Sequence, residues 1–251
     1  MPDKALNKGA GRLDESLWGH RWGYTDTRFV LNPDRSVRVT GERYAVSGYD
    51  MPGFIPFLED TLQVTFDPAD TKPERTEKPV APPVLNDAFC AALAADFPAT
   101  RYTTENRERL LHSHGQTTVD EVYQVLYNRV ERVADLVFYP ETHDEVVKLV
   151  ELAGTHDVCL VPYGGGTSVS CALKLPAGEM RMIVSVDMRR MDAIEWIDRE
   201  NLRACVQAGI TGSHLEERLA AEGFTCGHEP DSVELSTLGG WIATNASGMK
   251  K

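Results

Sequence analysis

Val158-Cys159-Leu160-Val161-Pro162-Tyr163-Gly164-Gly165-Gly166-Thr167-Ser168-Val169-Ser170 is the stretch that decides how this chain is read. An apolar run of strand character leads directly into three glycines. Without Cβ atoms the turn can take φ > 0 and lie close against another molecule. Successive N–H groups can then converge on an anion, and Thr167 and Ser168 add hydroxyl donors. That chemistry suits a pyrophosphate, although a glycine triplet by itself also fits an ordinary tight turn. No Lys follows the last glycine at the Walker position. The sequence beyond it reads as extended and polar, which disfavours a nicotinamide G-x-G-x-x-G site opening a helix.

Working outward, residues 135–139 read as a strand ended by Pro140. Thr142 and Glu145 form a capping box opening a helix, with Val146, Val147, Leu149, Val150 and Ala153 expected to face the core. Residues 158–161 are the returning strand. The glycine turn therefore sits at the carboxyl end of a strand, where open α/β sheets place ligands. Downstream, residues 182–186 read as a buried strand, and 193–197 with 204–208 as a hairpin around Asp198-Arg199-Glu200-Asn201. Ser213 and Glu216 are expected to cap a further helix, with Leu215 and Leu219 inward and Gly223 closing it.

Upstream, Thr118 and Glu121 predict a helix over 118–133 whose Val122, Val125, Leu126 and Val130 share a face. Asn86 predicts another reaching Phe97, and a short one is expected around 53–58. Trp18, Trp22, Tyr24, Phe29 and Tyr44 read as anchors of an irregular extension over residues 1–66. Pro68, Pro73, Pro79, Pro82 and Pro83 mark 67–84 as an exposed linker.

The 251 residues, with 42% hydrophobic and 25% charged content, are ordinary for a globular chain. No apolar run is long enough to span a bilayer, and the N-terminus has no secretory core. A net charge of −12 argues against broad nucleic-acid binding. The five cysteines, Cys90, Cys159, Cys171, Cys205 and Cys226, have no CxxC spacing and are expected to be buried free thiols. His112 and His114 stand at i, i+2 in an expected loop without acidic or thiol partners, so no metal site is read there. His20, His143, His156 and His214 read as surface or helix residues.

A second patch complements the first: Gly227-His228-Glu229-Pro230-Asp231-Ser232-Val233-Glu234-Leu235-Ser236-Thr237-Leu238-Gly239-Gly240-Trp241-Ile242-Ala243-Thr244-Asn245-Ala246-Ser247-Gly248. It is too long for a simple hairpin and too rich in small residues for a solvated helix face. Hydroxyls beside glycines suit a chain laid along a flat polar ligand; the alternative is a Ser/Gly-rich loop. His228 could face such a ligand and move a proton near neutral pH, or simply bond its own backbone.

Together with Ala208-Gly209-Ile210-Thr211-Gly212 and Gly248-Met249-Lys250-Lys251, these motifs resemble the alkyldihydroxyacetonephosphate synthases, flavoproteins of the vanillyl-alcohol oxidase and para-cresol methylhydroxylase (PCMH) type. Trp22-Gly23-Tyr24-Thr25-Asp26, Thr40-Gly41-Glu42-Arg43-Tyr44, His114-Gly115 and residues 135–140 extend the resemblance across nearly the whole chain. It implies an α/β (α+β) fold, with a partly helical extension over 1–129 and an incomplete PCMH-type FAD-binding domain over 130–251. FAD would be held non-covalently, with the pyrophosphate on residues 162–168. Residues 231–237 and 244–247 would line the remaining flavin, and His228 is the one catalytic candidate.

The implied reaction replaces the acyl chain of acyl-dihydroxyacetone phosphate with a long-chain fatty alcohol, forming an ether lipid. A homodimer, peripheral membrane association and a peroxisomal or glycosomal lumenal location are also implied. The family continues well past the position of Lys251, and its tyrosine acid, histidine cluster and substrate-phosphate arginine would lie there, so this stretch alone is expected to be inactive. Arg12-Leu13 begins an N-terminal peroxisomal pattern, but Gly19 stands in the histidine place and His20 is one residue late. The alternatives are an FAD-dependent D-lactate-type oxidoreductase of the same fold, or a non-catalytic module.

Overall fold

A computed structural model describes residues 23–42, 44, 46–67 and 79–249. Val37-Arg38-Val39 alternates buried, exposed, buried, the period of a half-covered strand. It forms β2 (Val37–Val39) between β1 (Phe29–Leu31) and β3 (Asp50–Met51), all antiparallel. The short helix expected next is α1 (Phe54–Leu62), which ends where Gln63 turns left-handed at φ 53°. Of the expected anchors, Tyr24 packs against Leu111 and Tyr163. Phe29 and Tyr44 instead remain exposed, and Phe29 stacks on Phe54. Trp18 and Trp22, like Arg12-Leu13, His20, Arg43, Pro68, Pro73, Lys250 and Lys251, lie outside the described residues.

The described end of the expected linker, residues 79–84, is mostly exposed but tied to the body. Ala81 O accepts from Arg109 Nη2 at 2.9 Å, and Val84 N–H donates to Asp135 Oδ1 at 2.8 Å. It leads into α2 (Asp87–Asp96), whose first turn is capped by the Asn86 side chain accepting from Phe89 N–H. Then come β4 (Tyr102–Thr103), α3 (Asn106–Leu111) and α4 (Val119–Leu126). Thr118 caps α4 as predicted, but the helix stops seven residues short of position 133. Asn128 turns left-handed at φ 52°, which an α-helix cannot continue through.

β5 (Leu136–Phe138), α5 (His143–His156), β6 (Cys159–Tyr163) and β7 (Ile183–Asp187) complete a four-stranded sheet in the order β4-β5-β7-β6. β5, β7 and β6 are parallel; β4 joins β5 antiparallel, so the sheet draws on residues on both sides of position 130. Full burial explains the unbroken apolar run of β5; β7, equally buried, also carries Ser185 and Asp187. Pro162, which has no N–H to donate, is tolerated because β6 is an edge strand.

One sheet face carries Leu136, Phe138, Val184 and Val186 under Phe89, Leu93 and Phe97 and under Leu149 and Ala153 of α5. The other carries Ile183, Val161 and Tyr163 under Leu111, Leu173 and Leu175. Val147 and Val150, expected inside, lie on the exposed side of α5, because the buried stripe runs through Leu149 and Ala153 at i, i+4.

A second layer follows: the antiparallel pair β8 (Ile194–Asp198) and β9 (Arg203–Val206), then α6 (Gly212–Ala221) and α7 (Leu238–Thr244). Ile210, Leu215, Leu219 and Trp241 form its core. Thr211, not Ser213, is the N-cap residue of α6; Ser213 is already helical, and its N–H donates to Val233 O at 3.0 Å. The cysteines are free, but four are half-buried and Cys226 is exposed, so they are not the buried thiols expected. Among the described residues, no helix is long and apolar enough to cross a membrane, and no cluster is placed to hold a metal ion.

Candidate functional site: the glycine turn and its supports

β6 ends at Tyr163, so Pro162 and Tyr163 belong to the strand and the turn proper starts at Gly164. Only Gly166 of the three glycines takes φ > 0, at 70°. Gly164 and Gly165 are required for another reason. A Cβ on Gly165 would run into the Leu235 carbonyl, and one on Gly164 into Thr237 Oγ1. The two patches that read as separate in sequence are therefore pressed together, and two of the glycines serve that internal contact.

The turn keeps unpaired backbone donors. Among the described residues, the backbone N–H groups of Gly165, Gly166 and Thr167 have no acceptor within the chain. Thr167 and Ser168 are half-buried. Three consecutive free donors flanked by hydroxyls fit the anionic oxygens of a pyrophosphate.

The second patch is more ordered than expected, because part of it is helix α7. Thr237 Oγ1 accepts from Gly240 N–H at 3.2 Å and caps the helix. Trp241 Nε1 donates to Ser236 Oγ at 2.8 Å, and Leu235 N–H and Ser236 N–H both donate to the Ser232 carbonyl. Ser232 itself is left-handed at φ 56°. Gly212 N–H donates to Ser236 O and Leu238 N–H to Ile210 O, so residues 208–213 stitch this loop to α6.

The two expected lining segments fall at opposite ends of α7. Asp231, Ser232, Val233, Glu234, Leu235, Ser236 and Thr237 precede it; Thr244 ends it, and Asn245, Ala246 and Ser247 follow. A bridge between Pro230 and Gly248 closes the patch on itself. Ser236 and Thr237 are buried, whereas Asp231, Glu234, Leu235, Thr244, Asn245 and Ser247 are exposed. His228 sets its ring edge-on to Trp241 at 5.6 Å and 81°, on the same loop assembly that covers the glycine turn.

The support underneath was not legible from motifs. His112, expected in a loop, caps the end of α3 and is fully buried; its Nε2 lies 3.0 Å from Asp187 Oδ2. Arg189 forks onto the same carboxylate, with Nε 2.9 Å from Oδ1 and Nη2 2.5 Å from Oδ2. Burial alone would raise the Asp187 pKa. The Arg189 charge and hydrogen bonds, with the His112 bond, outweigh it and hold the carboxyl well below its usual range. Tyr163 packs on both His112 (4.5 Å) and Arg189 (5.5 Å), so its side chain lies beneath the turn rather than in it. Gln116 N–H then donates to Gly166 O at 2.7 Å, and Thr117 Oγ1 to Ser168 O at 3.0 Å. The sequence signal that could have found this support was His114-Gly115, already part of the family resemblance.

Three parallel strands, one of which runs into a donor-lined glycine turn, are the architecture of a nucleotide-cofactor domain, and residues 134–251 match the family described as FAD binding domain. FAD is the cofactor this implies. The chain is 42% identical over 238 residues to the alkyldihydroxyacetonephosphate synthase of Caenorhabditis elegans, covering 95% of this chain and 39% of that protein. A solved alkyldihydroxyacetonephosphate synthase superposes with a TM-score of 0.81 at 32% identity, covering 93% of this chain and 44% of the other. The mitochondrial D-lactate dehydrogenase (cytochrome) of Arabidopsis thaliana is 28% identical, over 58% of this chain and 23% of its own. The chain is a homologue of the alkyldihydroxyacetonephosphate synthases, and it spans about 39% of the length of the C. elegans relative. The oxidoreductase alternative is not favoured.

Proposed function

We propose that this chain is the flavin-binding portion of an alkyldihydroxyacetonephosphate synthase. In the proposed reaction a long-chain fatty alcohol displaces the acyl group of acyl-dihydroxyacetone phosphate. The products are the alkyl ether and a free fatty acid, with no net oxidation. The observation that carries this reading is the extent of the synthase likeness. It runs over 95% of the chain, including the N-terminal support of the turn, whereas the D-lactate dehydrogenase likeness covers 58%.

FAD, when bound, supplies the reactive ring for the exchange. The N–H groups of Gly165, Gly166 and Thr167, with the Thr167 and Ser168 hydroxyls, hold its pyrophosphate. Residues 231–237 and 244–247 contact the rest of the cofactor. His228 holds or moves a proton beside it. Homodimerisation, association with a membrane surface and a peroxisomal or glycosomal lumenal location belong to the same proposal.

The test is an assay of a full-length protein containing this chain, using acyl-dihydroxyacetone phosphate and a labelled fatty alcohol. Label appearing in an ether product with release of fatty acid supports the proposal. Bleaching of the flavin by a 2-hydroxy acid without alkyl transfer overturns it.

A further inference from the structure

Glu121 carries a buried carboxyl group that its own helix does not account for. The residue is 2% exposed, and among the described residues no lysine, arginine or histidine forms an ion pair with it. A carboxyl group buried without a counter-charge is costly unless hydrogen bonds hold it. Thr118 Oγ1 accepts from Glu121 N–H at 3.3 Å, the first half of the expected capping box. In such a box the glutamate ordinarily reaches back to the N–H of the cap residue itself. Here it reaches further. Glu121 Oε1 accepts from Gly115 N–H at 2.7 Å, three residues before the cap, and Oε2 accepts from the Thr118 hydroxyl at 2.6 Å.

Residues 115–118 are therefore held from both sides. Glu121 grips the outer two, Gly115 and Thr118. The inner two grip the glycine turn: Gln116 N–H donates to Gly166 O at 2.7 Å, and Thr117 Oγ1 to Ser168 O at 3.0 Å. The C=O and N–H of a planar trans peptide point in opposite directions. Holding the Gly166 carbonyl against Gln116 thus aims the Thr167 N–H, one of the turn's unpaired donors, the other way. The fit around the carboxyl group is close. A Cβ on Gly115 would stand 2.5 Å from Glu121 Oε2 and 3.1 Å from Oε1.

We propose that Glu121 is a positioning residue for the FAD pyrophosphate cradle: by fixing residues 115–118 it fixes the direction of the Thr167 N–H. The proposal rests on reading the turn as that cradle. Glu121 makes no hydrogen bond to the turn itself and acts through Gly115 and Thr118.

Two measurements on the 251-residue chain test it: flavin fluorescence titration, and hydrogen exchange at the Gln116 amide, whose acceptor is Gly166 and not Glu121. Glu121→Met keeps a long side chain of similar helix propensity and removes both carboxyl oxygens. It should weaken FAD binding by about tenfold, the scale of one buried hydrogen bond. It should also speed Gln116 exchange more than that of Val184, whose strand lies between two others and reports global opening. Glu121→Gln, which keeps an acceptor for Gly115, should recover both properties. Thr117→Val removes the bond to Ser168 and should weaken FAD binding by itself. Combined with Glu121→Met, its loss should be less than multiplicative, because both act through one segment.

FAD binding by Glu121→Met as tight as the parent's, multiplicative losses in the double variant, or Gln116 exchange that changes only as Val184 does overturns the proposal. If Glu121→Met does not fold, Gly115→Ala decides. Its methyl meets only the end of the flexible Glu121 side chain, so the chain should fold with the carboxyl group pushed aside and FAD binding weakened. Unchanged binding in that variant overturns the proposal equally. Should the parent chain bind no FAD, the cradle reading fails by itself, and Gln116 exchange still decides whether Glu121 holds residues 115–118 on the turn.

Discussion

Gly165 lies directly against the main-chain carbonyl of Leu235, with no room between them for a methyl group. Neither partner is the far end of a flexible side chain, so one of the two loops must shift if a Cβ is added. Gly165→Ala should destabilise the chain by about 1–3 kcal/mol, the usual range for overpacking. It should also weaken FAD binding, because Gly165 supplies one of the free donors. Gly178, whose Cβ position is open, is the control. Gly178→Ala should stay within about 0.5 kcal/mol of the parent in urea denaturation. Equal stability of the two variants would contradict the close contact.

Asp187 is hydrogen-bonded by both His112 and Arg189 while fully buried. Asp187→Ala leaves Arg189 without its counter-charge in the interior, and loss of one partner of a buried pair costs about 3–5 kcal/mol. The expected result is a large fall in the denaturation midpoint, with loss of FAD binding as Tyr163 and His112 lose their common support. A midpoint unchanged from the parent would show that Arg189 finds another partner or reaches water.

Thr237 does two jobs: its Oγ1 caps α7, and its side chain fills the space beside Gly164. Thr237→Val keeps the shape and removes the acceptor. We expect a loss of about 1 kcal/mol, typical of an N-cap, together with weaker FAD binding as residues 231–237 loosen. Thr237→Ser keeps the cap and should be the milder of the two in the same denaturation experiment.

The supersecondary units could be read because they follow local rules. Thr118, Thr142 and Asn86 cap helices where the sequence places them. Residues 158–166 form the strand and turn they spell out. Features set by long-range contact were less visible. α7 was hidden because its Leu238-Gly239-Gly240 start has poor helix propensity, and the helix is held by the Thr237 cap and the burial of Trp241. Thr211 displaced Ser213 as the cap because residues 232–238 hydrogen-bond across the start of α6. Gly164 and Gly165 read as glycines facing a ligand, yet it is residues 235–237 that press on them. Only the fold brings the two patches together.

His114 gives the chain a specific acid sensitivity. Burial lowers its pKa below the ordinary 6.5, while the neighbouring Glu121 charge and the Gly115 hydrogen bond oppose that shift without reversing it, and His112 adds to it. The folded ring therefore declines a proton that the unfolded chain accepts, and stability rises with pH wherever the unfolded state binds more protons. The contribution is fully present above about pH 6.5 and declines as pH falls from there towards the depressed folded value. Its steepest slope is about 1.4 kcal/mol per pH unit, the limit for one proton. Urea denaturation between about pH 7.5 and about pH 5 should show this decline in the parent and a shallower one in His114→Gln, whose side chain does not titrate. Identical slopes in the two proteins would place the titration at another histidine.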